Sequence, residues 1–394
     1  MQHSRFSSLL VPILTLGVFG ILNTEMGVIG MIPLIAETFD VSVPTAGWTV
    51  TVFAIGIALC GPITPMLFSR FNRKIVMLAA LAVFIVTSLI GMVTTDFGVL
   101  LATRGFAAIF HPVYVAMAFT VAAQSVPKAQ GPKAIARIFI GVSAGMVLGV
   151  PAANFIGNEL SYEAAMAFFA LVNAAVFLLT LVFVPSMPVR DVRGYGEQLR
   201  ILRRPSLWWA VAAVVFTNGT TFGFFSYLSD TLETVTKLDV EAVSAVLFLY
   251  GVTNIAGNML AGRLLARATQ ATIRWTPLGL ALCLALLYVS GPHAWAMTAA
   301  VGLFGVLTGL SSNNSQYLIA DVSRDAPEFG NGLFLSAANS GTAVGTALCG
   351  LFIAEWGVAF SAFGAFVMLI GAAAAVWVYT ASKKAWEPAT ASAA

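Results

Sequence analysis

The chain has 394 residues, 59% of them hydrophobic and only 9% charged, with a formal net charge of +3. Soluble domains carry about 25% charged residues, so this composition excludes a soluble globular protein and predicts a polytopic membrane protein. Apolar residues recur in blocks of about 20 or more, enough to cross roughly 30 Å of hydrocarbon as helix, without the period-two alternation of barrel strands.

In chain order, residues 1–7 are a short polar start. The first apolar block is too long for a signal-peptide core, has no obvious cleavage site and contains Glu25, so it is read as a span. Span 1 covers 8–35, span 2 45–68, span 3 75–93 and span 4 100–123. Span 5 covers 134–156 and span 6 162–184. Residues 185–206 are charged, hold three prolines and cannot span. Beyond them come span 7 (207–228), span 8 (242–265), span 9 (275–289), span 10 (294–320), span 11 (331–354) and span 12 (358–379). The expectation is an all-α integral membrane protein of 12 transmembrane helices. A six-helix bundle at 1–184 and a second at 207–394, with a short tail, flank a cytoplasmic linker at 185–206.

Orientation follows from lysine and arginine. With the N-terminus inside, all of the 20 basic residues but Lys237 and the intramembrane Arg104 fall on inner segments or at inner span ends. Both termini are therefore expected in the cytoplasm. Cys60, Cys283 and Cys349 lie in apolar blocks without metal-ligand spacing and read as small core residues. No cofactor and no metal site is expected.

Span 4 carries the most informative residues, Arg104 and His111, seven apart and so on one helical face. An arginine mid-span costs at least about 2.5 kcal/mol and rarely faces lipid. Its candidate anionic partner is Glu25 of span 1. Counted from the outer ends of the two spans, Glu25 and Arg104 differ in depth by only about 5 Å, and His111 lies deeper, about 21 Å below the outer face. Glu25, Arg104 and His111 are expected to line one polar cavity that takes a proton, a solute or both. The alternative is a purely structural Glu25–Arg104 ion pair.

Several stretches carry a family resemblance. The turn after span 2 runs from Pro65 to Lys74, with Arg70, Arg73 and Lys74. Arg104 stands alone in span 4. Span 5 has Gly141, Gly145 and Gly149 at four-residue spacing, then Pro151; such a stripe admits a close helix neighbour, and the proline removes a backbone donor and favours a kink. Gly257 to Arg263 echoes the first-half turn, as in a duplicated architecture. In these features the chain resembles the major facilitator superfamily, and within it the bacterial twelve-span proton-driven efflux permeases for sugars, nucleosides and drugs. The resemblance implies proton coupling through Arg104 and antiport through the Gly145–Gly149–Pro151 pattern. It also implies conformational roles for Arg70, Arg73 and Arg263. Pro65, Ser69 and Asn72 depart from the Gly, Asp and Gly of the family's turn, which removes the acid of the usual charge lock. The basic residues there serve alternatively as anchors on the inner face.

The resemblance also implies a solute site lined by spans 1, 4, 7 and 10. Candidate contacts are Asn23 and Glu25, His111 and Tyr114, Asn218, Phe222 and Tyr227, Asn313 and Gln316, with Asn339 from span 11. Neutral hydrogen-bonding groups beside aromatics suit a small polar solute; each is alternatively interhelical glue. His111 is a candidate proton relay, since histidine changes charge near neutral pH, or a neutral partner at a Pro112 kink. There is no P-loop and no paired carboxylate in one apolar segment, so an enzyme is not expected. The function expected is export of a sugar, nucleoside, purine or neutral drug such as chloramphenicol against protons, by alternating access. Drug export on this fold implies multidrug resistance. The alternative is a proton-independent facilitator or importer. Expected partners are the small-molecule solute, protons and the lipid bilayer of a bacterial inner membrane, with no nucleic acid and a monomeric state.

Overall fold

The computed structural model describes residues 2–189 and 194–391. Arg190 and Arg193, counted above among the inner basic residues, lie outside them. The regular secondary structure of the described residues is all helical, without a strand. The chain divides into two compact units, Met1–Tyr195 and Gly196–Ala394.

The N-terminal unit is built from α1 (Gln2–Gly30), α2 (Ile32–Thr38), α3 (Val43–Ala46), α4 (Trp48–Cys60), α5 (Ile63–Phe68), α6 (Arg73–Val93), α7 (Phe97–Gln124), α8 (Gly131–Glu159) and α9 (Tyr162–Phe183). Helix starts follow from local chemistry. Asn72, Asp96 and Ser161 accept hydrogen bonds from the amides of Lys74, Val99 and Ala164, capping α6, α7 and α9. Within this unit α1 packs on α8, α6 on α9 and α4 on α7. A short helix, α10 (Tyr195–Leu199), leads on. The C-terminal unit holds α11 (Pro205–Phe225), α12 (Leu228–Thr234), α13 (Val240–Ser290), α14 (Ala294–Val322), α15 (Pro327–Trp356) and α16 (Ser361–Ala391). There α13 packs on α14, and α11 on both α15 and α16.

Among the described residues, ten helices are long and apolar enough to cross a membrane. The twelve expected stretches are accommodated with two differences. Span 2 is not one helix: it breaks at Gly47 and again at Gly61-Pro62, leaving α4 as a shorter apolar helix. Spans 8 and 9 are continuous as α13, bent at Ala268 (φ −142°, ψ 51°). Residues 266–274 carry no glycine or proline to end a helix, so the chain turns by one non-helical residue. The polar stretch after span 7 is also partly helical, as α12.

The exteriors are apolar, as lipid requires. Leu171, Leu178 and Val182 of α9 and Val289 and Ile370 of the other unit are exposed. Trp48, Trp295 and Trp356 are exposed near helix ends expected outside, and Trp208, Trp275 and Trp377 near ends expected inside, the placement of interfacial tryptophans.

Candidate functional site

The site is built on α1, α4 and α7. Arg104 is 5% exposed. Its Nη1 donates to the Thr24 carbonyl at 3.0 Å, Nη2 to the Glu25 carbonyl at 3.3 Å and Nε to the Thr49 carbonyl at 3.4 Å. The guanidinium also lies 4.4 Å from the centroid of the Phe53 ring, a cation–π distance. Three carbonyls and an aromatic face thus contact the charge directly, and the Glu25 carboxylate acts on it only from a longer distance. Each carbonyl has a second lone pair beyond its helical bond.

This frees the Glu25 carboxylate. Its Oε2 lies 3.0 Å from His111 Nε2, with side chains 12% and 5% exposed. The distance is that of an ion pair, but the alignment falls short of a hydrogen bond, and His111 Nδ1 has no hydrogen-bond partner. The ion pair expected between Glu25 and Arg104 is therefore corrected: the carboxylate meets His111, and Arg104 grips backbone. Depth placed both groups near Glu25; the carbonyls of Thr24 and Glu25 decide which takes the side chain. Phe53 packs edge-on to His111 at 5.9 Å, so one ring packs against both Arg104 and His111.

The remaining candidates scatter. Asn23 is fully buried at the α1–α8 crossing, where a Cβ on Gly149 would sit 3.2 Å from its Oδ1. Gly145 likewise faces Leu22 and Asn23, so the stripe brings α1 against α8. α8 runs unbroken through Pro151. Tyr114 is fully buried, its hydroxyl toward Gly17 of α1. In the C-terminal unit, Asn313 Nδ2 donates to Asn258 Oδ1 at 2.8 Å and Gln316 Nε2 to Asn331 Oδ1 at 2.8 Å. Both are occupied between helices. Asn218 and Asn339 donate only to the carbonyls of Val214 and Leu335 in their own helices. Phe222 packs on Phe225, and the Tyr227 hydroxyl donates to the Thr346 carbonyl at 3.2 Å.

At the basic end of the N-terminal unit, Arg73 donates to Gln124 Oε1 at 2.7 Å and Lys74 to the Leu181 carbonyl at 2.8 Å. Arg70 stacks on Tyr195 at 3.8 Å. Asn72, where the resembled turn has glycine, binds Ser186 Oγ and the Met187 amide. Arg263 is exposed on α13. An open groove of about 500 Å³ between α6 and α7 is lined by Val83, Val86, Thr87, Val99, Thr103 and Phe106; it is apolar and holds none of the candidates. Among the described residues no three His, Cys, Asp or Glu side chains converge to hold a metal.

Sequence reasoning passed over Asn173, Thr180, Phe53, Asn258 and Asn331. A lone amide inside the apolar run of α9 was the signal for Asn173. Phe53 carried none, being one aromatic among 29 phenylalanines.

Comparison with known proteins agrees with this fold. The chain is 28% identical to the inner membrane transport protein YdhP of Escherichia coli strain K12, over 91% of each chain. It is 22% identical to a probable sugar efflux transporter of Helicobacter pylori strain G27, over 92% of this chain and 93% of that one. The crystal structure of the E. coli fucose:proton symporter FucP superposes with a TM-score of 0.75 at 14% identity, covering 94% of this chain and 98% of that one. The family model of the Major Facilitator Superfamily matches residues 14–324 and 229–393. The chain is a multi-pass membrane protein, a transporter rather than an enzyme, and belongs to the Major Facilitator Superfamily.

Proposed function

We propose that this transporter is an exporter that exchanges protons for a small neutral solute, and that Glu25 and His111 carry the proton. One observation supports this above the others: a buried carboxylate and imidazole 3.0 Å apart inside the N-terminal unit. Intramembrane ionisable pairs are costly and mark function. Such a pair binds protons as a unit. Arg104 keeps its charge throughout, since carbonyls hold it in place of the carboxylate. Adding one proton to Glu25 and His111 therefore raises the net charge of this buried group by one. In a low dielectric that change biases which side the site faces, and the cycle couples a proton entering to a solute leaving.

The proposed solute class rests on the C-terminal unit, whose buried polar groups are mostly neutral amides and hydroxyls, with Glu328 a buried acid on α15. They suit an uncharged, hydroxyl-bearing molecule: a sugar, a nucleoside or purine, or a drug such as chloramphenicol. Export of sugars is what the Helicobacter relative's name states of that protein. On this reading the basic helix ends and both termini face the cytoplasm of a bacterial cell, and the monomer is the working unit.

The test is solute-induced proton movement in proteoliposomes, with lactose, arabinose, inosine and chloramphenicol, comparing the wild type with Glu25→Gln. One solute class should release a proton signal that the variant loses. Solute flux without proton movement, unchanged in Glu25→Gln, would instead establish a facilitator.

A further inference from the structure

The N-terminal unit contains a second set of buried polar atoms, leading away from Glu25. His111 Nδ1 and Asn173 Oδ1 have no hydrogen-bond partner within the protein, and the Tyr114 and Thr180 hydroxyls meet only each other. His111 is 4% exposed, and the other three side chains are fully buried. They belong to α7 and α9, and His111, Tyr114 and Asn173 lie against α1. The α1 positions opposite are Gly17, Gly20 and Thr24, spaced three and four residues, one face of the helix. Thr24 Oγ1 accepts from Asn173 Nδ2 at 2.9 Å. A Cβ on Gly20 would lie 3.2 Å from Asn173 Oδ1, and one on Gly17 would overlap the Tyr114 hydroxyl. The two glycines thus give room to polar tips where methyl groups would otherwise pack. The Tyr114 hydroxyl faces Thr180. Thr180 directly precedes Leu181, whose carbonyl accepts from Lys74 at 2.8 Å.

These groups form a seam from the middle of the unit to its basic end. It runs along α1 from Glu25 to Gly17, about 12 Å. Unpaired polar atoms in a membrane interior are costly, and ordered water commonly bridges such groups. The charged and titratable groups around Glu25 are His111 and Arg104, with Tyr162 beyond Arg104. Arg104 precedes His111 on α7, on the side away from Tyr114, so its fixed charge opposes a proton leaving that way.

We infer that this seam is a proton route joining Glu25 and His111 to the cytoplasmic end of the N-terminal unit, separate from the path of the solute. This rests on the proton-coupled reading above. The proton leaves Glu25 or His111 and is accepted by a hydroxyl or water, which gives up its own proton to the next group. No covalent bond other than O–H or N–H is made or broken, and the net change is one proton moved from the pair to the inner water. Tyr114 and Thr180 act by relaying, and neither needs to carry a net charge at rest.

The test uses Tyr114→Phe, Thr180→Val and Thr180→Ser in the full-length protein in proteoliposomes. Infrared absorption of the protonated carboxyl, followed after a pH jump, reads proton exchange at Glu25 without any solute; Glu25→Gln identifies the band. Counterflow of the solute that gave the proton signal reads the solute path. Tyr114→Phe and Thr180→Val should slow carboxyl exchange by about tenfold or more, Thr180→Val should leave counterflow and thermal stability unchanged, and Thr180→Ser should restore the rate. Wild-type exchange rates in both hydroxyl-deleting variants would overturn the seam. If Glu25→Gln also retained uphill transport, the proton-coupled reading would fall with it. If Glu25→Gln stopped transport while the other variants exchanged normally, only the seam would fail.

Discussion

The two units share a packing device and differ in what they bury. In the N-terminal unit α1 crosses α8 on Gly141, Gly145 and Gly149; in the other, α11 crosses α15 with glycines on both sides, Gly219 and Gly223 against Gly341 and Gly345. Around the first crossing lie Arg104, Glu25 and His111, all titratable or charged. In the second unit the polar side chains between α14 and its neighbours α13 and α15 are neutral and joined helix to helix: Asn313 to Asn258, Asn314 to Thr276 and Gln316 to Asn331. The described ion pairs of the C-terminal unit sit at its basic end, where Arg204 meets Asp325 and Arg324 meets Asp321. There Tyr379 also donates to Asp321 at 2.8 Å. A carboxylate with an imidazole can change charge when it gains a proton; an amide layer cannot. One architecture therefore carries two chemistries in the few polar residues that each unit buries.

The largest expected effect tests whether the crossings are equivalent. A Cβ on Gly345 would overlap the backbone of Gly219, which has no side chain to move aside. A Cβ on Gly145 would come 2.6 Å from the Cβ of Leu22 and no closer than 3.2 Å to backbone, a milder overlap. Gly345→Ala should cost about 3 kcal/mol and Gly145→Ala about 1 kcal/mol, the two ends of the usual range for overpacking. Thermal unfolding in detergent reads the difference, and equal losses would mean that the α1–α8 crossing is as tight as its counterpart.

Next in size is Arg104→Lys. Lysine keeps the charge but lacks the planar fork that reaches three carbonyls at once. The loss should be about 2 kcal/mol, as for a hydrogen bond to a charged group. A substitution that left the melting temperature unchanged would show that the carbonyl contacts contribute little, and that the charge alone matters. No substitution among the neutral amides of the other unit should cost as much.

How much of this was legible in the sequence depends on what was asked. Hydrophobic blocks located the helices, because burying backbone in lipid leaves no other choice. Their breaks were less legible. Gly47 and Gly61-Pro62 interrupt span 2 where composition alone stays apolar, and the bend at Ala268 has no glycine or proline to announce it. Depth in the membrane follows from counting residues, which is why Glu25, Arg104 and His111 were expected together. Direction around the helix, and the choice between a carboxylate and a carbonyl, do not follow from counting. Arg104 has long reach and five donors, so any acceptor within that reach competes for it. Asn173 and Thr180 are seven apart on α9, two turns, and their spacing was as readable as that of Arg104 and His111. They carried no charge to draw notice.

The smallest expected effects bear on the amides of the C-terminal unit, where glue and solute contact must be told apart. Asn313 gives its Nδ2 to Asn258 and to the Gly309 carbonyl, so its interhelical bond is already made. Interhelical hydrogen bonds in membranes average about 0.6 kcal/mol. Asn313→Ala should lower the thermal midpoint by about that amount and leave the KM for the transported solute unchanged. Asn218 gives its Nδ2 only to Val214 of its own helix, so Asn218→Ala removes no bridge between helices. It should leave stability alone and raise KM, because an amide held only by its own helix is available to a hydroxyl-bearing solute. The reverse pattern, with KM moved by Asn313 and stability by Asn218, would transfer the solute contact to the amide layer and make the neutral half of the comparison a binding surface rather than a scaffold.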